Sequence, residues 1–225
     1  MPLLTFPDPE GASPEGIVAI GGDLHPETLR SAYRQGIFPW PVEDLPLLWF
    51  SPPDRGVLFF ADLHVPRSLR RAANRSLLEF TIDRSFEAVI RWCAKRQRPG
   101  QPGTWITAPV IAAYSRLHRL GMAHSVEAWS GDDLVGGLYG VDVDGAFAAE
   151  SMFYLQPNAS KLALLYLVEH LAARGLDWLD IQVLTPHLAR LGAKTIPRKA
   201  FLARLLETRG RGIQLFRSDD GKEGT

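Results

Sequence analysis

The 225-residue sequence predicts an α+β fold in two parts, a small N-terminal α/β domain over residues 1–55 and a larger mixed-sheet domain over residues 56–225. Three observations carry this reading. Up to Pro53 the chain runs in short proline-punctuated segments with two aromatic clusters, Ile37-Phe38-Pro39-Trp40 and Leu47-Leu48-Trp49-Phe50-Ser51-Pro52-Pro53. From Arg55 it changes to regular strand and helix patterns. Between Ser125 and Val183 the patterns fall in the order β-β-β-α-β, and a helical crossover of that kind joins parallel strands.

In chain order, Phe6-Pro7-Asp8-Pro9-Glu10 reads as loop and Ile17–Ile20 as a short apolar segment. Gly21-Gly22-Asp23-Leu24 turns into a helix opened by Pro26 and Glu27 and closed by Gly36. Beyond Arg55, Val57–Phe60 is a strand, Pro66–Asn74 a helix, Phe80–Ile82 a strand and Phe86–Arg96 an amphipathic helix. Arg98-Pro99-Gly100-Gln101-Pro102-Gly103 has loop or lid composition, and Pro109–Leu120 is a helix stopped by Gly121. Three strands follow, Ser125–Trp129, Leu134–Val141 and Ala146–Glu150, with turns at Gly131-Asp132 and Asp144-Gly145. Gly136, Gly137 and Gly140 in the middle strand leave room for a ligand backbone to approach.

The run Phe147–Val183 closes the unit. It reads as a strand carrying Glu150, a turn at Gln156-Pro157, a helix of about fifteen residues N-capped by Asn158 and stopped at Gly175, and a strand carrying Asp180 and Gln182. Alternation puts Leu179, Ile181 and Val183 on one face of the last strand and Asp180 with Gln182 on the other. Glu150 and that polar pair converge on one cleft if the strands share a sheet. This strand order is the skeleton of an acyltransferase of the amine-acetylating, GNAT-type fold. A short helix start at Pro186-His187 and a final helix complete the chain, with a frayed tail from Ser218.

Composition narrows the classes. A hydrophobic content of 46% is enough to bury a core. The single cysteine, Cys93, excludes an internal disulfide and a cysteine-based zinc cluster, which suits a reducing compartment. The start of the chain has no basic leader, and the longest apolar run, Leu162–Val168, is too short to span a bilayer. A cytoplasmic protein is expected. The six histidines show no ligand spacing, His118 and His124 being six apart, so no metal is expected. The zero net charge hides an uneven distribution, with three basic against nine acidic residues over 1–63 and nine against three over 64–98. At the centre of the basic segment Arg67, Arg70, Arg71 and Arg75 gather near one helix face. Such a face is either plainly solvated or a phosphate-binding surface.

Nine short motifs occur in order between about Phe6 and Leu206: GGDL (Gly21–Leu24), GIFPW (Gly36–Trp40), W-x-SP (Trp49–Pro52), GTWIT (Gly103–Thr107), LVGGLYGV (Leu134–Val141), ESMF (Glu150–Phe153), NASK (Asn158–Lys161), D-x-QV (Asp180–Val183) and LGA-x-x-IPR (Leu191–Arg198). Each is weak alone. Together they resemble the leucyl/phenylalanyl-tRNA–protein transferases.

The resemblance implies an enzyme that moves leucine or phenylalanine from its tRNA to the α-amino group of a protein beginning with arginine or lysine, marking that protein for degradation. It implies stacking of the tRNA's 3′-terminal adenosine between Trp40 and Trp105, and an aminoacyl pocket lined by Leu138, Met152, Leu164, Leu167 and Leu171. The tRNA acceptor arm would lie on Arg67, Arg70, Arg71 and Arg75. Catalysis is carried over to Asp180 and Gln182, with Asp180 orienting Gln182 and the Gln182 amide oxygen accepting from the attacking amine, while Glu150 holds the acceptor's first residue or its amine. An aminoacyl ester is already activated, so no cofactor is expected, and the protein is expected to act as a monomer. Two rivals are weighed. An acetyl-CoA enzyme needs a glycine-rich turn ahead of the helix, and Gln156-Pro157-Asn158-Ala159 has none. A non-catalytic RNA-binding module would use the arginines and tryptophans but leave Glu150, Asp180 and Gln182 without a role.

Overall fold

A computed structural model describes residues 5–42, 45–95 and 104–217. The N-terminal part comprises β1 (Ile17–Ile20), α1 (Pro26–Arg34), β2 (Phe38–Trp40) and β3 (Leu48–Phe50). Its strands form an antiparallel sheet in the order β1-β3-β2. The two aromatic clusters thus become paired strands, which their proline content had concealed. Trp49 is fully buried in this sheet, with its indole N–H donating to the Gly21 carbonyl at 2.9 Å. Along α1 the residues Leu29, Ala32 and Tyr33 share the buried face.

The rest of the chain supplies β4 (Asp54–Phe59), α2 (Arg67–Arg75), β5 (Glu79–Ile82), α3 (Phe86–Lys95), α4 (Ala108–Arg119), β6 (Ala123–Ser130), β7 (Asp133–Val143), β8 (Ala146–Tyr154), α5 (Ala159–Ala173), β9 (Trp178–Gln182), α6 (Pro186–Ala189), β10 (Lys194–Pro197) and α7 (Arg198–Gly210). The seven strands form one mixed sheet in the order β10-β4-β9-β8-β7-β6-β5. All its pairings are antiparallel except β8 with β9, the pair joined by α5. The α+β architecture, the small N-terminal sheet and the larger mixed sheet are as the sequence predicts. β10 was not foreseen, since it is four residues long and ends on Pro197. The segments Arg98–Gly103 and Ser218 onward, read as a lid and a frayed tail, lie outside the described residues.

Neighbouring residues of a strand point to opposite faces, and β7 shows what covers each. A Cβ on Gly136 would lie 2.5 Å from the Cβ of Ala159 in α5, and one on Gly137 would lie 3.3 Å from Val89 in α3. The sheet is therefore sandwiched between α5 and α3. The same contacts correct the reading of these glycines, because Gly136, Gly137 and Gly140 admit the protein's own helix, carbonyls and Phe147 ring rather than a ligand. α5 has the fifteen residues expected, with Leu162, Leu164, Leu167, Val168 and Leu171 buried. Asn158 stands at its N-cap position but in the left-handed region (φ 69°), with no side-chain cap bond; its Oδ1 accepts from Lys161 Nζ at 3.5 Å instead.

The histidines converge where their spacing gave no hint. Nδ1 of His124 lies 2.6 Å and Nδ1 of His118 lies 3.6 Å from the Asp83 carboxylate. Downstream of α7 the chain is held to the body by Leu215, whose carbonyl lies 2.9 Å from His170 Nε2, and by Phe216, stacked on His124.

Candidate active site

Glu150, Asp180 and Gln182 meet at the centre of the large sheet, and irregular strand geometry brings them together. Tyr139 pairs with Ser151 and Gly140 with Ala149, so Glu150 is the extra residue of a bulge in β8. Gly56 pairs with Gln182 and Val57 with Asp180, so Ile181 is the extra residue of a second bulge in β9. β8 and β9 pair with each other at Ala148 and Asp180, two positions before Glu150 and one before Ile181. Bulges bend a strand and re-aim the side chains beside them. Here two adjacent parallel strands do so at the same level.

The β9 bulge corrects the expectation that Asp180 and Gln182 point together. Gln182 adopts φ 60°, a left-handed conformation that costs a non-glycine residue roughly 1–2 kcal/mol. Its backbone N–H donates to Asp180 Oδ1 at 2.9 Å, which holds the turn. Gly56 opposite has no Cβ because one would sit 2.9 Å from the Leu184 nitrogen as the chain leaves the bulge. The two side chains then part. Both Asp180 oxygens are taken by Arg55, at 2.8 Å from Nε and 2.6 Å from Nη2. The Gln182 side-chain amide donates instead to Glu150 Oε1 at 2.8 Å. Asp180 therefore orients Gln182 through its backbone, and Glu150 orients its amide.

Arg55 is 1% exposed and is held from three sides. Besides Asp180 it donates to the Gly36 carbonyl at 3.0 Å, and its guanidinium lies between the rings of Phe38 and Phe201 at 4.6 and 4.3 Å. A buried bidentate pair of this kind is costly to break from one side, by about 3–5 kcal/mol. It also ties the N-terminal sheet to β9.

Glu150 has a second donor from the N-terminal part. The Tyr33 hydroxyl on α1 donates to Oε1 at 2.6 Å, and the Tyr114 hydroxyl on α4 lies 2.5 Å from that of Tyr33. Both tyrosines are buried, at 3% and 0% exposure. Burial raises both hydroxyls well above the ordinary tyrosine value, with Glu150 adding to the effect, so they stay protonated and able to donate. Burial also pushes the Glu150 carboxyl up to about 8; the Asp180 charge reinforces this, while the Tyr33 and Gln182 hydrogen bonds and Arg55 oppose it. The Oε2 atom makes no hydrogen bond among the described residues. A carboxyl with one oxygen saturated, the other open and a proton affinity close to that of an α-amine (pKa near 8) can exchange a proton with such an amine.

Around this centre the other expected residues take varied positions. Trp40 and Trp105 face each other with ring centroids 6.2 Å apart and planes 18° from parallel. Inserting a base between them takes two stacking layers, about 6.8 Å, so the rings must open slightly to admit one. Leu138, Leu164, Leu167 and Leu171 are packed in the core at 2% exposure or less, while Met152, which pairs with Leu138 across β7 and β8, is only partly buried. Arg67, Arg70, Arg71 and Arg75 all lie exposed on α2, a helix anchored by the buried Leu69, and their guanidiniums make no ion pair among the described residues. Two surface depressions of about 420 and 430 Å³ lie beside Arg30 and Arg34, the second reaching the β7–β8 turn, and neither is lined by Glu150, Asp180 or Gln182. No three His, Cys, Asp or Glu side chains gather as a metal site among the described residues. Tyr33, Tyr114 and Arg55 escaped the sequence reading. Arg55, a cation opening an apolar strand in Arg55-Gly56-Val57-Leu58, was the one of the three with a visible signal.

The strand order and the polar centre at its two bulges are those expected of an acyl-group transferase. Comparison with known proteins makes this specific. The family profile described as "Leucyl/phenylalanyl-tRNA protein transferase" matches residues 57–206, and that of its N-terminal domain matches residues 22–53. Proteins named leucyl/phenylalanyl-tRNA–protein transferase in Anaeromyxobacter dehalogenans (strain 2CP-C) and Myxococcus xanthus are 56% and 51% identical to it, each over 200 residues, 89% of this chain and 86% of the relative. The counterpart in Oleidesulfovibrio alaskensis is 51% identical over 207 residues, 90% of this chain and 84% of the relative. The chain belongs to the leucyl/phenylalanyl-tRNA–protein transferase family.

Proposed function

We propose that this protein transfers leucine, and phenylalanine, from its tRNA to the α-amino group of proteins that begin with arginine or lysine, marking them for degradation in the cytoplasm. The observation that carries the reading is the hydrogen-bonded centre of Glu150, Gln182, Asp180 and Arg55 at the two bulges of the sheet. No helix among the described residues is long and apolar enough to cross a membrane, which is compatible with that location.

In this reading Trp40 and Trp105 part to hold the 3′-terminal adenosine, each stacked base gaining roughly 1–3 kcal/mol. The aminoacyl side chain enters past Met152 toward Leu138, Leu164, Leu167 and Leu171, and shape against these apolar side chains selects leucine. The exposed arginines of α2 hold the acceptor arm by its phosphates. The acceptor's α-amine attacks the ester carbonyl carbon, the new C–N bond forms and the bond to the ribose 3′-oxygen breaks. The Gln182 amide oxygen, set by the bond from its NH₂ to Glu150, accepts from the amine and holds it on line. Asp180 keeps Gln182 in its left-handed turn, and Arg55 keeps Asp180 in place.

The test is transfer of radiolabelled leucine, and separately phenylalanine, from charged tRNA to a peptide beginning with arginine. The expected result is labelled peptide, and none when its α-amine is acetylated. Transfer to the blocked peptide, or none to the free one, contradicts the reading.

A further inference from the structure

One part of the polar centre belongs to neither catalytic strand. Tyr33 comes from α1 of the N-terminal domain and Tyr114 from α4, 81 residues apart in the chain, yet their hydroxyls meet at 2.5 Å beside Glu150. Each hydroxyl has one proton. Tyr33 directs its proton to Glu150 Oε1, so the bond between the tyrosines is donated by Tyr114. The order of donation is Tyr114 to Tyr33 to Glu150, with the Gln182 amide donating to the same oxygen from the other side. Tyr114 is in turn fixed edge-on against Tyr139, at 5.8 Å and 83°. Two buried hydroxyls lined up behind one carboxyl oxygen are not needed to fill space, for which phenylalanine would serve.

We propose that Tyr33, backed by Tyr114, is a positioning residue for the transfer reaction: it saturates Oε1 of Glu150, fixes the carboxyl in one orientation and leaves Oε2 as the atom that takes the proton of the acceptor's α-ammonium group. The inference rests on the reading of Glu150 given above. The steps balance. The α-ammonium gives one proton to Oε2, and the neutral amine attacks the ester carbonyl. The second proton leaves nitrogen for the departing ribose 3′-oxygen as the C–O bond breaks. Glu150 then returns its proton to water. Through Tyr33 the reacting carboxyl depends on docking of the N-terminal domain, so that domain does more than bind tRNA.

A hydrogen bond donated to a carboxylate favours its charged form, so its loss makes the carboxyl harder to ionise. The pH profile of kcat/KM for transfer to the arginine peptide has a rising limb from Glu150 and a falling limb from the peptide's amine. The experiment compares these profiles, with KM for charged tRNA and thermal unfolding, for wild type, Tyr33→Phe, Tyr114→Phe and Glu150→Gln. In Tyr33→Phe the rising limb should move to higher pH, the falling limb should stay, and kcat should drop about tenfold or more with KM for tRNA unchanged. Tyr114→Phe should shift the limb the same way by less, which keeps the test available if Tyr33→Phe folds poorly. A uniform loss at all pH values in folded Tyr33→Phe and Tyr114→Phe overturns the relay while Glu150→Gln remains inactive. An active Glu150→Gln with the wild-type rising limb overturns the reading of Glu150 itself, and the relay with it.

Discussion

The buried centre at the strand bulges and the arginine face of α2 are opposite solutions to handling polar groups. At the centre, Arg55 and Asp180 are 1% and 5% exposed and every partner is fixed to within a hydrogen bond. On α2, four guanidiniums stand in solvent with no partner among the described residues. The first arrangement holds one geometry and suffers if any member is removed. The second tolerates sequence and shape in what it binds but is screened by salt. The difference fits the proposed division of labour, one reaction at the centre on an RNA held by its backbone charge.

The contrast can be broken at the centre with the largest effects. Arg55→Met leaves a buried carboxylate without its partner and should lower unfolding stability by about 3–5 kcal/mol, read by urea denaturation; adding Asp180→Asn should recover much of the loss. Gln182→Ala removes the amide proposed to meet the acceptor and should cut kcat on the order of a hundredfold or more, with KM for tRNA little changed. Glu150 also sharpens the contrast through pH. Its folded value of about 8 lies above the unfolded 4.5, so its contribution to stability is complete below about pH 4.5 and is lost as pH rises toward 8. The slope is at most about 1.4 kcal/mol per pH unit. Glu150→Gln should reduce the loss of stability between pH 5 and 8, seen as melting curves that drift less with pH, while Glu127 and Asp142, whose carboxyls burial also raises, keep part of the drift.

Away from the centre the effects shrink. Trp40→Ala should weaken binding of charged tRNA by roughly 1–3 kcal/mol with no preference for tRNA sequence. Each arginine of α2 changed to alanine should lower the slope of log affinity against log salt by about 0.7–0.9 and leave unfolding unaltered, measured by filter binding over a salt series.

How much of this was legible in the sequence follows the same division. Elements long enough to carry a sustained apolar pattern between clear turn residues, such as α5 and the strands β6 to β8, were readable, although both faces of the sheet are covered. β2, β3 and β10 were not, being three or four residues long, two of them containing proline. Glu150, Asp180 and Gln182 were found from their motifs, but alternation assumes a regular strand, and each of their strands carries a bulge. That is why the two side chains thought to act as a pair have different partners. Tyr33, Tyr114 and Arg55 reach the centre from 117, 36 and 125 positions away from Glu150 or Asp180, distances over which local patterns carry no information. His118 and His124, which show no ligand spacing in the sequence, converge on Asp83, 35 and 41 positions away, for the same reason.

The most direct measurement is single-turnover transfer of leucine from charged tRNA to an arginine peptide, with tRNA affinity measured alongside, for wild type, Gln182→Ala and the variant with Arg67, Arg70, Arg71 and Arg75 all changed to alanine. If the buried centre does the chemistry and α2 holds the tRNA, Gln182→Ala loses the transfer rate and keeps its affinity, while the arginine variant loses affinity and transfers at the wild-type rate once saturated. A Gln182→Ala protein that transfers at the wild-type rate would contradict the account.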